Sequence, residues 1–384
     1  MTKRDVVIDA VEFRPPAYVP WAWDMTQDCA ARFRNSGTDY EIPRPVRPAQ
    51  MGVCDGPSAG RPSAESRSLS PNSVSAFIGS HFLELGAVIG RFERLDATHD
   101  RDIYGVVWDR SIDKDIGTPC HWPIQRPEDL ASYEWPDPSN DDWYAGIPGQ
   151  MAAHPDLFSR YNVGFSLYER AWTMRGMSNL LMDMVERPEF VHEFLDAIVE
   201  HNLVQVHRAL GLGVDAVYFG DDYGMQTGLI MGIEHWRRFI KPCLARMFAP
   251  VREAGRYVCM HSCGRVDGLF DELVEIGLNV FNPFQPDVMD VFALKRQYHG
   301  QLAFHGGMSV QNTLPFGTVD EVREMTQRLI EAGSGGGYVF APSHSVPRDV
   351  PPENLVAMME VLRAQPGYPG DDWEAEEKNA QAKP

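Results

Sequence analysis

Between Asp215 and Arg363 the chain switches repeatedly between short strand-like runs and stretches with helical spacing, and this alternation restricts the folds open to it. DAVYFG (215–220) is β-rich and apolar, and Ile233 to Arg252 then places Trp236, Phe239, Ile240, Leu244 and Phe248 on one helical face. RYVCMH (256–261), a helix over Val266 to Ile276, Leu278 to Phe281, a helix over Val291 to Tyr298 and Leu302 to His305 continue the pattern. Thr318 to Glu331 opens with a capping box, Thr318 as N-cap and Glu321 three residues on. Tyr338 to Ala341 is the last strand, and the helix from Pro351 to Arg363 begins with proline, where a missing N–H costs nothing. Strands alternating with helices of ten or more residues imply right-handed βαβ units and a parallel sheet. An α/β barrel is the expected arrangement, and an open doubly wound sheet competes with it.

Upstream, Tyr161 to Ser166 reads as a strand, followed by helix from Met177 to Leu210 broken at Arg187-Pro188. Val6 to Phe13 suits a short helix and Tyr18 to Trp23 a first strand, so residues 1–41 form an N-terminal extension. Residues 42–75 are rich in Pro, Ser, Gly and Arg without apolar periodicity, and a flexible insertion is expected there. Residues 76–365 are the expected barrel body, and 366–384 a solvated, disordered tail. The formal charge of −19, from 35 basic and 54 acidic side chains, argues against a nucleic-acid binder, which needs a basic face. No apolar run approaches the ~18 residues of a membrane span. Asp5, Asp9 and Glu12 sit where a signal peptide needs apolar residues, so a cytoplasmic location is expected. The 6 cysteines then read as buried thiols or metal ligands rather than disulfides.

His261-Ser262-Cys263-Gly264 is the sharpest local signal. Alternation along a strand points His261 and Cys263 the same way, and imidazole nitrogen with thiolate sulfur suits tetrahedral zinc. A catalytic zinc needs a third protein ligand, and His344, after the last strand, is the first choice, because strand ends of a barrel share one rim. A packed histidine beside a buried thiol is the plainer reading. Cys259 reads as core filling. His305 either faces the mouth or is a satisfied structural histidine. Asp221 and Asp222 follow a strand directly, and serve either as substrate or metal contacts or as a capping pair. Glu169 and Arg170 offer an acid and a carboxylate clamp, or a salt bridge. Gly333 to Gly337 precedes a strand instead of linking one to a helix, so it reads as an αβ turn rather than a phosphate cradle.

Together these stretches resemble the uroporphyrinogen decarboxylase superfamily, which includes the corrinoid-dependent methyltransferases. The matching text is HSCGRVDGLFDELVEIGLNVFNPFQP from His261, LAFHGGMSVQNTLPFGTVDEV from Leu302 and GGYVFAPSHSVPRDVPPENLVAMMEVL from Gly336. GDDYGMQTGLIMGIEHWRRFIKP from Gly220 and RDVVIDAVEFRPPAYVPW from Arg4 support it. The resemblance implies a single (β/α)8 TIM barrel with its pocket at the carboxyl rim. The decarboxylase branch carries an arginine-rich RQAGRY motif, whereas PPAYVPWAWDMTQ here has no arginine and keeps only the nearby Arg14 and Asp24. The methyltransferase branch carries H-x-C and a later cysteine as zinc ligands; His261 and Cys263 match, and His344 stands at the third position. A one-thiolate site leaves zinc a stronger Lewis acid, which favours activating an oxygen, such as a methoxy group, over a thiol.

The expected activity is therefore zinc-dependent methyl transfer or demethylation, between a small-molecule donor or acceptor and a corrinoid carried on a partner protein. Zinc falls to His261, Cys263 and His344. Asp221, Asp222 and Glu169 take the catalytic roles, and Arg170, Trp23 and His305 the substrate contacts. A homodimer is one expected assembly, since barrels of this kind often pair. The alternative is metal-free tetrapyrrole decarboxylation, which asks for an arginine cluster such as Arg14, Arg170 and Arg175 at the rim.

Overall fold

The computed structural model describes residues 1–36, 53–54, 73–87, 92–113 and 116–370. The insertion expected over residues 42–75 lies mostly outside them, as do residues 371–384 of the expected tail. Seven parallel strands form the main sheet: β1 (Phe82–Gly86), β2 (Phe158–Val163), β3 (Ala216–Gly220), β4 (Tyr257–His261), β5 (Val280–Phe284), β6 (Ala303–Met308) and β7 (Tyr338–Pro342). They are hydrogen-bonded in chain order, each to the next. Helices surround them: α1 (Lys3–Val11), α2 (Tyr168–Arg175), α3 (Met177–Glu186), α4 (Pro188–Leu212), α5 (Lys241–Glu253), α6 (Phe270–Glu275), α7 (Val291–Gln297), α8 (Val319–Gly333) and α9 (Pro352–Arg363).

Side chains of alternating parity fall into two separate apolar clusters, which is what a curled parallel sheet produces. Leu83, Tyr161, Val217, Phe219, Val258, Phe281, Phe304 and Phe340 pack on the outer side in the large core shared with the helices. Phe82, Phe158, Ala216, Cys259, Val280, Ala303 and Val339, one residue from every strand, meet in a second, inner cluster with Ala22. Val7 and Val11 of α1 join that inner cluster, so α1 plugs the end where the strands begin. Seven positions distant in sequence meet in one layer only if the sheet bends round on itself. Both of its edges are bonded to residues 20–22. Ala22 N–H donates to Phe340 O (3.1 Å), Phe340 N–H to Pro20 O (2.8 Å), and His81 N–H to Trp21 O (3.0 Å). The first strand expected over Tyr18–Trp23 is reduced to a single parallel bridge from Trp21 to Phe340. Pro20 has no N–H to continue the ladder.

The second half follows the expected order closely, with the helix break at Arg187-Pro188 separating α3 from α4. An antiparallel sheet was not expected. Phe92–Arg94, His99–Arg101, Val107–Asp109 and Thr118–His121 form it between β1 and β2 in the chain, joined by Val53–Cys54 from before β1, which alone pairs in parallel. Its strands are short and polar, too weak in alternation to read as sheet. Among the described residues no helix is long and apolar enough to cross a membrane. The α8 capping box is formed, Glu321 N–H donating to Thr318 Oγ1 (3.3 Å) and Thr318 N–H to Glu321 Oε2 (2.7 Å). Thr318→Ala removes it at an exposed position, and should lower stability by about 1 kcal/mol in urea denaturation.

Candidate metal centre

Strand parity directs His261, the last residue of β4, to the interior beside the inner cluster that holds Cys259. The chain then turns at Gly264, whose φ of +83° is open to glycine. A Cβ on Gly264 would lie 2.3 Å from the carbonyl carbon of Gly224, and one on Gly224 would lie 2.5 Å from Cys263 O. The turns after β3 and β4 therefore touch backbone to backbone, and Arg265 N–H donates to Met225 O (2.8 Å). This contact seats Cys263 against the preceding loop, where its N–H donates to Asp222 Oδ1 (2.7 Å). His344 arrives from the loop after β7, held by Ser343 N–H donating to Met308 O (2.7 Å).

The structure brings His261, Cys263 and His344 together: one ligand atom from each lies within 4.8 Å of the others. Cys263 Sγ is 3.3 Å from His261 Nε2, which is also 3.4 Å from Asp222 Oδ1. That span is slightly wider than the roughly 4 Å that bonds near 2.1 and 2.3 Å to one tetrahedral ion require. A pocket of about 470 Å³ opens over Cys263 and His344, with Gln285, Gln311 and Met225 in its walls.

A hydrogen-bond network fixes the histidine. Asn282 Nδ2–H donates to His305 O (2.9 Å), which orients the amide, and Asn282 Oδ1 accepts from Tyr218 OH (2.7 Å). His261 Nδ1 lies 2.7 Å from that same Oδ1, an acceptor only, so Nδ1 carries the proton and Nε2 keeps its lone pair toward Cys263. Burial lowers the His261 pKa and further favours the neutral, ligating form. Behind Tyr218, the fully buried Arg160 stacks on the Tyr218 ring at 3.9 Å and on Phe82 at 4.6 Å, and is paired with Glu84. Glu84, Arg160, Tyr218 and Asn282 were missed in the sequence. For Glu84 and Arg160 the signal was a charged residue at an inward position of β1 and of β2.

Three carboxyl groups surround the centre. Asp221 is fully buried and accepts from Tyr168 N–H (2.9 Å), Glu169 N–H (2.6 Å) and Tyr223 OH (2.6 Å), tying the start of α2 to the end of β3. Burial pushes its carboxyl up to about 7 against those three donors. Glu169 is raised well above the usual carboxylate range by burial, then by the charges of Asp222 and Asp221. Burial and Asp222 also raise the Cys263 thiol. These are the shifts expected where negative groups crowd without a cation, and a divalent ion among them would reverse their direction.

Arg170 is buried, 3.5 Å from Asp102 Oδ2 and stacked 3.7 Å over Tyr104, so it fastens the antiparallel sheet to α2. Trp23 packs in the outer core, and its Nε1 has no partner among the described residues. His305 lies beneath the centre, its Nε2–H donating to Ala22 O (2.7 Å) while Nδ1 faces the Asn282 amide (3.2 Å). Arg14 pairs with Asp9 and Glu12 on the α1 side. Arg175 is bound to Asp183 and to the carbonyl of Gln125. The three arginines do not form a cluster at the rim.

Residues 166–365 match the family model described as uroporphyrinogen decarboxylase. The chain belongs to the uroporphyrinogen decarboxylase family. Uroporphyrinogen decarboxylase from Methylococcus capsulatus (strain Bath) is 24% identical over 190 residues, covering 47% of this chain and 50% of that protein. The chain thus spans about half the length of this curated relative. A methyltransferase from Methanosarcina mazei superposes with a TM-score of 0.67 over 94% of this chain and 98% of its own, at 14% identity. That likeness supports the fold: an α/β architecture whose parallel sheet curls as in a TIM-like barrel.

Burial makes His305 a pH-sensitive part of this centre. Its folded pKa is depressed from 6.5 to about 3, first by burial and then by Arg160. The unfolded chain therefore binds this proton at a higher pH than the folded one. The stability His305 contributes is present above about pH 6.5 and lost as pH falls toward 3, at about 1.4 kcal/mol per unit of separation. The urea midpoint should fall between pH 6.5 and 4, and His305→Gln should flatten that fall.

Proposed function

We propose that this chain is a zinc-dependent methyltransferase or demethylase, built as a closed (β/α)8 barrel in which residues 20–22 act as the eighth strand. The observation that carries this reading is the convergence of His261, Cys263 and His344 at the carboxyl ends of β4 and β7, with the His261 tautomer already set. When bound, zinc would supply Lewis acidity to the heteroatom that holds the methyl group. The donor set of one sulfur and two nitrogens fits this metal, and the surrounding acidic groups supply the negative charge that a dication neutralises.

This chain's own residues do the rest. Asn282 keeps the His261 lone pair exposed. Asp222 holds the Cys263 backbone and lies within reach of the same ring nitrogen. Glu169, buried beside Asp221 and Asp222, is the carboxyl placed to pass a proton to a departing oxygen. One thiolate in place of two favours an oxygen-bound methyl, such as a methoxy group, and the carrier of the transferred methyl is a corrinoid on a partner protein. Tetrapyrrole decarboxylation is less well supported, because Arg14, Arg170 and Arg175 are separately engaged with other groups.

Plasma emission spectroscopy on the purified chain should find about one equivalent of zinc, lost in Cys263→Ser and weakened in His344→Ala. Less than about a tenth of an equivalent, unchanged by Cys263→Ser, would overturn the metal and with it the reaction. Incubation with cob(I)alamin and a methoxylated arene should generate the alkylcobalt absorbance in the zinc-loaded chain alone. Asn282→Leu removes the acceptor that fixes the tautomer, and should weaken zinc about 10–100-fold in chelator competition.

A further inference from the structure

A second cavity, of about 480 Å³, lies at the other end of the strands, between α7 and the turn that follows α8. Phe292, Lys295, Arg296, His299, Ala332 and Gly335 line it. Lys295 is 7% exposed, and its ammonium has no hydrogen-bond or ion-pair partner among the described residues. It lies against the glycine-rich turn, where a Cβ on Gly337 would come within 3.5 Å of Nζ. The Lys295 stem is buried, while Nζ is not sealed off and reaches the cavity, where an anion would meet it. The last turn of α7 draws positive charge toward its carbonyl end, yet offers Nζ no acceptor within bonding distance. Arg296 and His299 are exposed on the same wall, and neither side chain pairs with a carboxylate among the described residues. In a chain of charge −19, a lysine and an arginine without acidic partners, beside a histidine, give this cavity a locally positive field.

We propose that this cavity binds the phosphate group of a small phosphorylated molecule, with Lys295 as the buried anchor and Arg296 and His299 closing on the oxygens from the mouth. Two cationic side chains and an imidazole N–H match a dianion better than a single carboxylate. Phe292 and Ala332 offer an apolar wall to an organic body, and the glycines on the opposite side leave room for it. The turn from Gly333 to Gly337 is thus part of an anion site through the lysine beside it, although it does not lead from a strand into a helix.

Isothermal titration of the full chain with inorganic phosphate and with glycerol 3-phosphate, in phosphate-free buffer, tests this. Saturable binding is expected, weakened at least about tenfold (~1.4 kcal/mol) in Lys295→Met and in Arg296→Ala, and unchanged in Cys263→Ser. Tighter binding of the ester assigns the site to a phosphorylated metabolite, and equal affinities assign it to free phosphate. Absence of saturation, or affinities that neither Lys295→Met nor Arg296→Ala alters, would overturn the proposal. Arg296 is exposed, so its variant keeps the test decisive even where Lys295→Met fails to fold.

Discussion

A single buried amide ties three strands of the interior to one another. Asn282 takes hydrogen bonds from Tyr218 on β3 and His261 on β4 and gives one to the backbone of β6. His305 extends the belt to Ala22, the segment that bonds both edges of the sheet. Each member of such a network is costly if left unpaired, at roughly 1–3 kcal/mol, so the belt persists only as a whole. Packing alone would bring the strands together. The belt also sets which nitrogen of His261 is free, and so joins the fold to the chemistry.

Negative charge is concentrated above that belt. Asp221, Asp222 and Glu169 lie in or beside low-dielectric surroundings within a chain that is already acidic. Asp221 is reconciled by three donors, and Glu169 by holding its proton. Asp222 keeps one backbone N–H and an approach to the imidazole. The metal ion proposed among the three histidine and cysteine donors would relieve this crowding.

Much of this was legible in the sequence where structure is made locally. The capping box at Thr318, the break at Pro188 and the strand–helix alternation from Asp215 onward depend on neighbours a few residues apart. The pairing of His261 and Cys263 with His344 was also accessible, because parity and a shared rim follow from the alternation itself. What could not be read depends on distant partners. Arg170 finds Asp102 in an antiparallel sheet whose strands are too short to show a pattern, and His305 finds a carbonyl near the opposite end of the chain. Pro20 reduced an expected strand to one bridge. Glu84 and Arg160 face each other because β1 and β2 pair in that register, which no local pattern announces.

The glycine contact between the turns after β3 and β4 bears on how this rim can vary. Two stretches of bare backbone fit like mated castings, with no side chain between them to absorb an error. Neither Gly224 nor Gly264 is free to drift alone, and the spacing of Cys263 from Asp222 is inherited with them. The loops beyond Met308 and Pro342, the second of which carries His344, take no part in that casting and can move without disturbing it.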